Sequence, residues 1–473
     1  MLTQNLATPS GGAPAESRGQ ATSVRWALAG LSLSMLMPSL DTSICNVALP
    51  TLSRTFSASF QQVQWVVLAY LLAITSLIVS VGRLGDLVGR RRLLQSGLAV
   101  FIAASILCGA APSLWLLMAA RAVQGLGAAV MMALTIALVG EAVPKERTGS
   151  AMGLLGTMSA VGTALGPSLG GFLLAGFGWR AIFFVNVPLG LLALVLVARF
   201  LPLDHERPKP RVRFDGLGTW LFAGALAAYA LAVTLGRGHF DRLSLVLLLA
   251  AGLGGILFVL AEKRAASPLV RLDLFRNAGL SISLVQNALV ATVMMATLVV
   301  GPFFLSRALG LSEAAVGMAM SFGPLISILS GVPAGRIVDR LGAPFMAIAA
   351  LMAMVVGAMA LSVLPARFGV AGYLAAIAVL TPGYQLFQAA NNTSVMMDVP
   401  PDQRGVISGM LSLSRNLGLI TGASVLGAVF AAAESAAAGL RATFTLAAAL
   451  IAASIVLAIG SRRPSSRLGQ RET

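Results

Sequence analysis

The sequence predicts an all-α integral membrane protein with fourteen spans arranged as six, two and six. Three observations carry that reading. Apolar runs of about 20 residues recur along the chain, each long enough to cross a hydrocarbon layer of roughly 30 Å at 1.5 Å per residue. Charged residues make up 11% of the 473 residues and apolar ones 57%, against roughly 25% charged in a soluble domain. Motifs in the first half also return in the second, about 250 residues later.

The first six spans are expected to begin near Trp26, Val63, Leu93, Leu114, Gly149 and Ile182. Two more start near Leu217 and Leu243, and the last six near Leu280, Ala314, Pro344, Gly372, Val406 and Ala442. This divides the chain into an N-terminal six-helix half (26–201), an inserted pair with flanking loops (202–279) and a C-terminal half (280–460). Residues 1–25, rich in Gly, Ala, Ser, Pro and Gln, read as a disordered tail. They carry too long a polar stretch for a signal peptide. Residues 461–473 read as a basic tail.

The net charge of +16 would suggest nucleic acid in a soluble protein. Here the basic residues fall in short loops, where they set orientation. With the N-terminus inside, roughly 23 of the 33 Lys and Arg residues lie on the inner side and about seven outside, which puts both termini in the cytoplasm. No nucleic-acid partner is expected. Cys45 and Cys108 lie inside apolar runs and read as core residues, with neither a disulfide nor a metal site.

The repeat is visible residue by residue. GRLGDLVGRR from Gly82 aligns with GRIVDRLG from Gly335, placing Asp86 on Asp339 and bringing Arg336 and Arg340 into the same segment. PKERTG from Pro144 aligns with PDQRG from Pro401, and Gly162 and Gly166 find partners in Gly418 and Gly422. Repeats of this kind place a binding site near the midplane between the halves.

These motifs resemble those of the major facilitator superfamily, and within it the fourteen-span drug:proton antiporters of the EmrB/QacA type, over about Trp26 to Gly460. LDTSICNVALP from Leu40 resembles that group's first-span signature, and GRLGDLVGRRR from Gly82 the loop motif of the superfamily. RAVQGLGAA from Arg121, GTALGPSLGG from Gly162 and WRAIFFVNVPLG from Trp179 resemble the fourth-, fifth- and sixth-span motifs. Leu87 departs, standing where the superfamily loop usually carries a basic residue; Arg340 supplies one in the second copy.

Asp41 is the one carboxylate well inside an apolar span, since the other acids lie in loops, tails or at span ends. A carboxylate is expensive there when ionised, which suits it to hold and release a proton. Asp41 lies about nine residues before the end of its span and Arg121 about seven after the start of its own, so both sit roughly 10–14 Å below the same face. They are expected to pair. The resemblance also implies a role for Arg121 in proton coupling, set against a static ion pair.

The expected cavity is lined by uncharged groups. Tyr384, Gln385, Gln388, Asn391 and Asn392 fall on one helix face, and Ser283, Gln286 and Asn287 cluster on another helix. Asn46, Trp65, Tyr70, Gln124 and Phe303 complete the set. Interhelical bonding is the competing reading of such polar stripes. Gly162, Gly166, Pro167, Gly170 and Gly171 give span five a small-residue face with a proline bend, which the resemblance associates with sealing exporters against leak. Gly82, Arg83, Asp86, Gly89, Arg90 and Arg91 read as a tight cytoplasmic turn, which the resemblance implies steadies one access state, set against a plain positive-inside anchor.

The three lysines follow no phosphate-binding glycine loop, and the two histidines, His205 and His239, lie in loops without a metal cluster or nucleophile triad. No cofactor and no enzymatic activity are expected, and an ion gradient must supply the energy. The expectation is a proton-coupled exporter of small amphipathic drugs or toxic metabolites in the inner membrane, monomeric and compatible with an accessory periplasmic protein. The rival readings are an uptake or exchange carrier of the same fold and a non-transporting membrane sensor or assembly subunit.

Overall fold

A computed structural model of the chain describes residues 13–143, 148–202, 215–235, 242–265, 277–396 and 404–460. Among these residues every regular element is a helix. The first group comprises α1 (Ala13–Thr55), α2 (Phe60–Val88), α3 (Arg90–Ala110), α4 (Leu114–Ala142), α5 (Thr148–Phe177), and a short α6 (Ala181–Phe184) running into α7 (Asn186–Phe200). Next come α8 (Gly216–Leu235) and α9 (Arg242–Arg264). The last group is α10 (Ala278–Arg307), α11 (Glu313–Leu341), α12 (Ala343–Met396), α13 (Arg404–Thr421), a π-helical turn over Gly422–Leu426, α14 (Gly427–Ala431) and α15 (Ala436–Gly460).

Thirteen helical segments among the described residues are long and apolar enough to cross a membrane. One of them, Ala343–Val395, is 53 residues long, far more than the roughly 20 that a bilayer needs. Its helix α12 is interrupted at Gly369, where φ is 55° and ψ −131°, four residues after Pro365 has removed a ladder hydrogen bond.

Two expectations are corrected. Helix α1 begins at Ala13, so residues 13–25 are helical instead of part of a disordered tail. Pro14 falls in the first turn, where its missing N–H costs nothing, and good helix formers follow. Gly82, Arg83 and Asp86 lie within α2 and not in a turn; the chain reverses at Gly89, with φ 104°. Its repeat counterpart Gly342, at φ 87°, ends α11 in the same way. Both glycines sit at positive φ, where a Cβ would be strained. Residues 1–12, both PKER and the start of PDQR, and much of the basic loop sequence lie outside the described residues.

Other termini follow from local chemistry. Ser59 caps α2 with a full capping box, its hydroxyl accepting from Gln62 N–H while Gln62 accepts from Ser59 N–H. Ser113, Asn277 and Ser312 cap α4, α10 and α11.

The internal repeat reappears as packing. In the first half α5 lies along α1, and in the second α13 lies along α10. A methyl on Gly162 would stand 2.6 Å from the Leu36 carbonyl oxygen, and one on Gly166 would collide with Ser43. Gly418 and Gly422 stand equally tight against the Ala288 and Thr292 carbonyls of α10. Without a hydrophobic force between helices in lipid, such close backbone approach holds the bundle. Helix α10 is central, with 78% of its span buried, whereas α9, at 11%, lies on the rim.

The two halves meet closely at the end that carries the α1–α2 and α10–α11 turns. Glu313 accepts from Arg54 at 2.8 Å and from Thr51 at 2.7 Å, and Arg307 donates to Ser53 at 3.1 Å. Phe60, Phe303 and Phe430 form an aromatic cluster there. Gly171 of α5 faces Gly317 of α11, and Ser168 bonds Ser321.

Gly166→Ala and Gly418→Ala are each expected to destabilise the protein by about 1–3 kcal/mol through overpacking. Gly156→Ala, where a Cβ meets nothing within 4 Å, should be neutral; thermal unfolding of the purified variants in one detergent checks the contrast.

Candidate functional site

A fully buried ion pair lies inside the first half. Arg121 on α4 is 0% exposed and Asp41 on α1 is 1% exposed. Arg121 Nη1 donates to Asp41 Oδ2 at 2.5 Å. An unpaired charge at this depth costs several kcal/mol, so each ion requires the other.

Further partners reach the pair from three directions, although Arg121 Nη2 has no hydrogen-bond partner among the described residues. Arg121 Nε donates to the Val66 carbonyl of α2 at 3.1 Å, and Nη1 also reaches Gln124 Oε1 at 2.7 Å. The guanidinium carbon stands 4.1 Å from the centre of the Tyr70 ring and 5.9 Å from that of Phe183, giving cation–π contacts from α2 and α6. On the acid, Oδ1 accepts from Gln124 Nε2 at 3.0 Å and from Asn186 Nδ2 at 2.7 Å. Gln124 Nε2 also donates to Ser105 of α3 at 2.8 Å, and Cys108 lies 3.6 Å from Gln124 Oε1.

Local sequence sets this geometry. Arg121 and Gln124 are three residues apart on α4 and so share a face. Pro38 leaves α1 one ladder bond short three residues before Asp41. Its carbonyl is shared by Thr42 at 2.8 Å and by the Tyr70 hydroxyl at 3.3 Å, which fixes Tyr70 beneath the guanidinium. Asn186 opens α7 just after the turn at Val185.

The structure divides the residues expected to line one cavity. Gln124 and Tyr70 belong to the buried ion-pair network, and both are 0% exposed. Trp65 turns the other way, donating from Nε1 to Thr234 of α8 at 3.1 Å. Phe303 is packed into the aromatic cluster between the halves, with Arg307 over its ring. Asn46 is fully buried with neither side-chain atom bonded among the described residues.

In the second half several expected cavity groups join helices to one another. Gln286 donates to the Ser454 carbonyl at 3.1 Å, Asn287 to the Leu411 carbonyl at 2.8 Å, and Gln385 to the Ser327 carbonyl at 2.9 Å. A polar side chain in an apolar bundle gains by bonding a neighbouring backbone, the interhelical role that such stripes also allow. Ser283, Tyr384 and Gln388 are half-buried, the latter two bonded to each other at 3.1 Å. Asn391 is buried and Asn392 exposed.

Asn186, Ser105 and Cys108 were missed as site residues. Asn186 carried a signal: it is the one amide in its span and stands within the sixth-span motif. Ser105 and Cys108 carried none beyond their three-residue spacing. Among the conformational residues, Arg91 donates to the Ala198 carbonyl, while Gly335 has open space around it and Arg336, Asp339 and Arg340 are exposed. Gly170 packs in ordinary contact on Ile44.

The model of the Major Facilitator Superfamily matches residues 31–423. The chain belongs to the Major Facilitator Superfamily. It is a multi-pass membrane transporter of that superfamily, and it is 31% identical over 404 residues to the riboflavin transporter RibZ of Clostridioides difficile, covering 85% of this chain and 87% of that one. It is 35% identical over 412 residues to the multidrug resistance protein Stp of Mycobacterium tuberculosis, covering 86% and 75%. The multidrug efflux pump LfrA of Mycolicibacterium smegmatis is 31% identical over 414 residues, with 86% and 81% covered. Among solved structures, the superfamily fold is matched by a bacterial homologue of the human lysosomal transporter Spinster in an inward-facing, unoccupied conformation. Its TM-score is 0.65 at 16% identity, over 93% of this chain and 97% of that one.

Burial of both partners makes the ion pair a test of stability. Arg121→Met, which leaves Asp41 buried without its cation, is expected to cost about 3–5 kcal/mol. The double variant Asp41→Leu/Arg121→Met should recover much of that loss, because apolar groups replace both charges. A double-mutant cycle by thermal unfolding measures the coupling.

Proposed function

We propose that this chain is a fourteen-span, proton-coupled antiporter of the EmrB/QacA type that exports small amphipathic compounds across the bacterial inner membrane. The observation that carries the reading is the buried Asp41–Arg121 pair, a titratable group held at membrane depth by a network with no solvent-exposed member. Intramembrane acids of this kind mark proton pathways in transporters. Counting α12 as two spans divided at Gly369 gives fourteen, with both termini in the cytoplasm as the basic loops require.

On that orientation the closed end, with Arg54, Glu313, Thr51 and Arg307, faces outward, and substrate enters from the cytoplasm or inner leaflet. The half-buried Tyr384–Gln388 pair, with Asn392 and Ser283, offers it neutral polar contacts. When the halves rock and the outer end opens, a proton from outside reaches Asp41 and weakens its hold on Arg121. Substrate leaves outward, and the return step delivers the proton inside. The close α5–α1 and α5–α11 contacts seal the path between steps, and the Gly82–Arg91 segment steadies one state. One copy of the chain carries out the whole cycle.

Relatives named for riboflavin transport and for drug efflux stand at similar identity, which supports a second reading as a metabolite carrier of the same fold. Reversing the proton gradient separates the two. An exporter moves substrate out of acid-outside vesicles, and an uptake carrier moves it in.

In proteoliposomes, Asp41→Asn is expected to abolish transport driven by a pH gradient, by at least 10-fold, while the protein elutes as a folded species. Wild-type rates in that variant would defeat the proposal.

A further inference from the structure

The carboxyl oxygens of Asp41 are met by donors alone. Arg121 Nη1 occupies Oδ2, and Gln124 Nε2 and Asn186 Nδ2 occupy Oδ1. Protonation places an O–H on one of these oxygens, and that new donor needs an acceptor. A guanidinium has none to offer. Gln124 is committed at both ends, its Oε1 accepting from Arg121 and its Nε2 donating also to Ser105. Asn186 differs. It is 0% exposed, donates through Nδ2, and leaves its Oδ1 without a partner among the described residues. A buried amide oxygen left unbonded is costly, and native interiors rarely retain one without cause.

From this we infer that Asn186 is a positioning residue that serves both protonation states of Asp41. With Asp41 ionised, the amide nitrogen donates to Oδ1. When Oδ1 takes up a proton, a half-turn of the Asn186 amide brings its free oxygen to the same place, where it accepts the new O–H. The proton stays on Asp41, no bond to carbon changes, and the amide remains neutral throughout. Placement at the start of α7, just after the α6–α7 turn, puts the side chain at the end of a helix instead of within its packed middle.

Among the described residues, Asn186 is the one side chain bonded to Asp41 that keeps an unpartnered acceptor. Besides Arg121, the titratable side chains near Asp41 are Tyr70 on α2, Cys45 on α1 itself and Cys108 on α3. Tyr70 spends its hydroxyl proton on the Pro38 carbonyl. Helices α5 and α6 contain no titratable residue, and those of α7 and α10 stand at the far ends, Arg199 and Arg307.

The inference rests on Asp41 carrying the proton, so the test reads that separately. Infrared difference spectra of the purified full-length protein across a pH series report the C=O band of a neutral carboxyl group, and Asp41→Asn identifies the Asp41 band by deleting it. Asn186→Leu removes both the donor and the acceptor, while Asn186→Ser keeps a hydroxyl that can do either. A hydrogen bond to a charged acceptor outweighs one to a neutral group, so loss of the amide weakens the ionised form more. The midpoint of the Asp41 band, and of pH-gradient-driven transport, should therefore rise by about one pH unit in Asn186→Leu. It should stay near wild type in Asn186→Ser, and the C=O band should move to higher frequency in the Leu variant as its hydrogen bond is lost. A midpoint and band unchanged in Asn186→Leu overturn the role of Asn186, as does an equal shift in the Ser variant. Absence of any band that Asp41→Asn deletes overturns the proton-carrier reading instead, and this inference with it. If Asn186→Leu is not recovered folded, Asn186→Val removes the same two groups and is read in the same way.

Discussion

A buried charge in a bilayer constrains everything around it. Around Asp41 and Arg121, helices α1, α2, α3, α4 and α7 each contribute to one network: the acid itself, the Val66 carbonyl, Ser105 through Gln124, the Arg121–Gln124 pair and Asn186. Five helices thus share one polar knot in an otherwise apolar half. Apolar replacement of such a pair is often tolerated in soluble proteins, so stability alone does not account for an arrangement this demanding. Its retention makes sense where the charge state itself is used. Its members all belong to the first half.

The glycine positions are the second constraint, and they explain how a polar knot can be so dry. Gly162 and Gly166 draw α5 onto α1 within a backbone's width, on the same helix that carries Asp41. Gly418 and Gly422 do the same for α13 and α10. The repeat therefore conserves the packing rule and not the chemistry. In the second half, amides of α10 instead bond backbone carbonyls across helices, as Asn287 does to Leu411.

Much of this was legible in the sequence because membranes leave few solutions. Span length, apolar runs and repeated motifs all follow from the need to satisfy every backbone group within a helix. The Asp41–Arg121 pairing could be read from depth alone, since rise per residue fixes depth. What could not be read was rotation about the helix axis in three dimensions. Gln124, three residues from Arg121, had the right face but was assigned to the cavity instead of to the carboxylate it holds. Trp65 likewise sits on α2, a helix that contacts both halves as well as α8, and sequence gives no means to choose among those neighbours. Asn186 was hidden by connectivity: its importance depends on α7 crossing α1 at Asp41, a contact between residues 145 positions apart in the chain.

The inserted pair takes on a physical role once these contacts are drawn together. Helix α8 is tied to α2 near both ends, by Ser80–Thr219 at 2.9 Å and Trp65–Thr234 at 3.1 Å. It touches the other half through Tyr229 and Thr421 at 3.3 Å, beside the π-helical turn that begins at Gly422. Hydroxyl bonds between helices in lipid are worth about 0.6 kcal/mol on average, so the single bond to α13 resists separation weakly while the two to α2 act together. Any rocking of the halves that opens the α2–α13 seam breaks the former before the latter. α8 then travels as part of the first half and keeps the flank of α2 covered. The inserted pair would thus keep lipid and water away from α2, whose Val66 carbonyl and Tyr70 ring hold Arg121 in place.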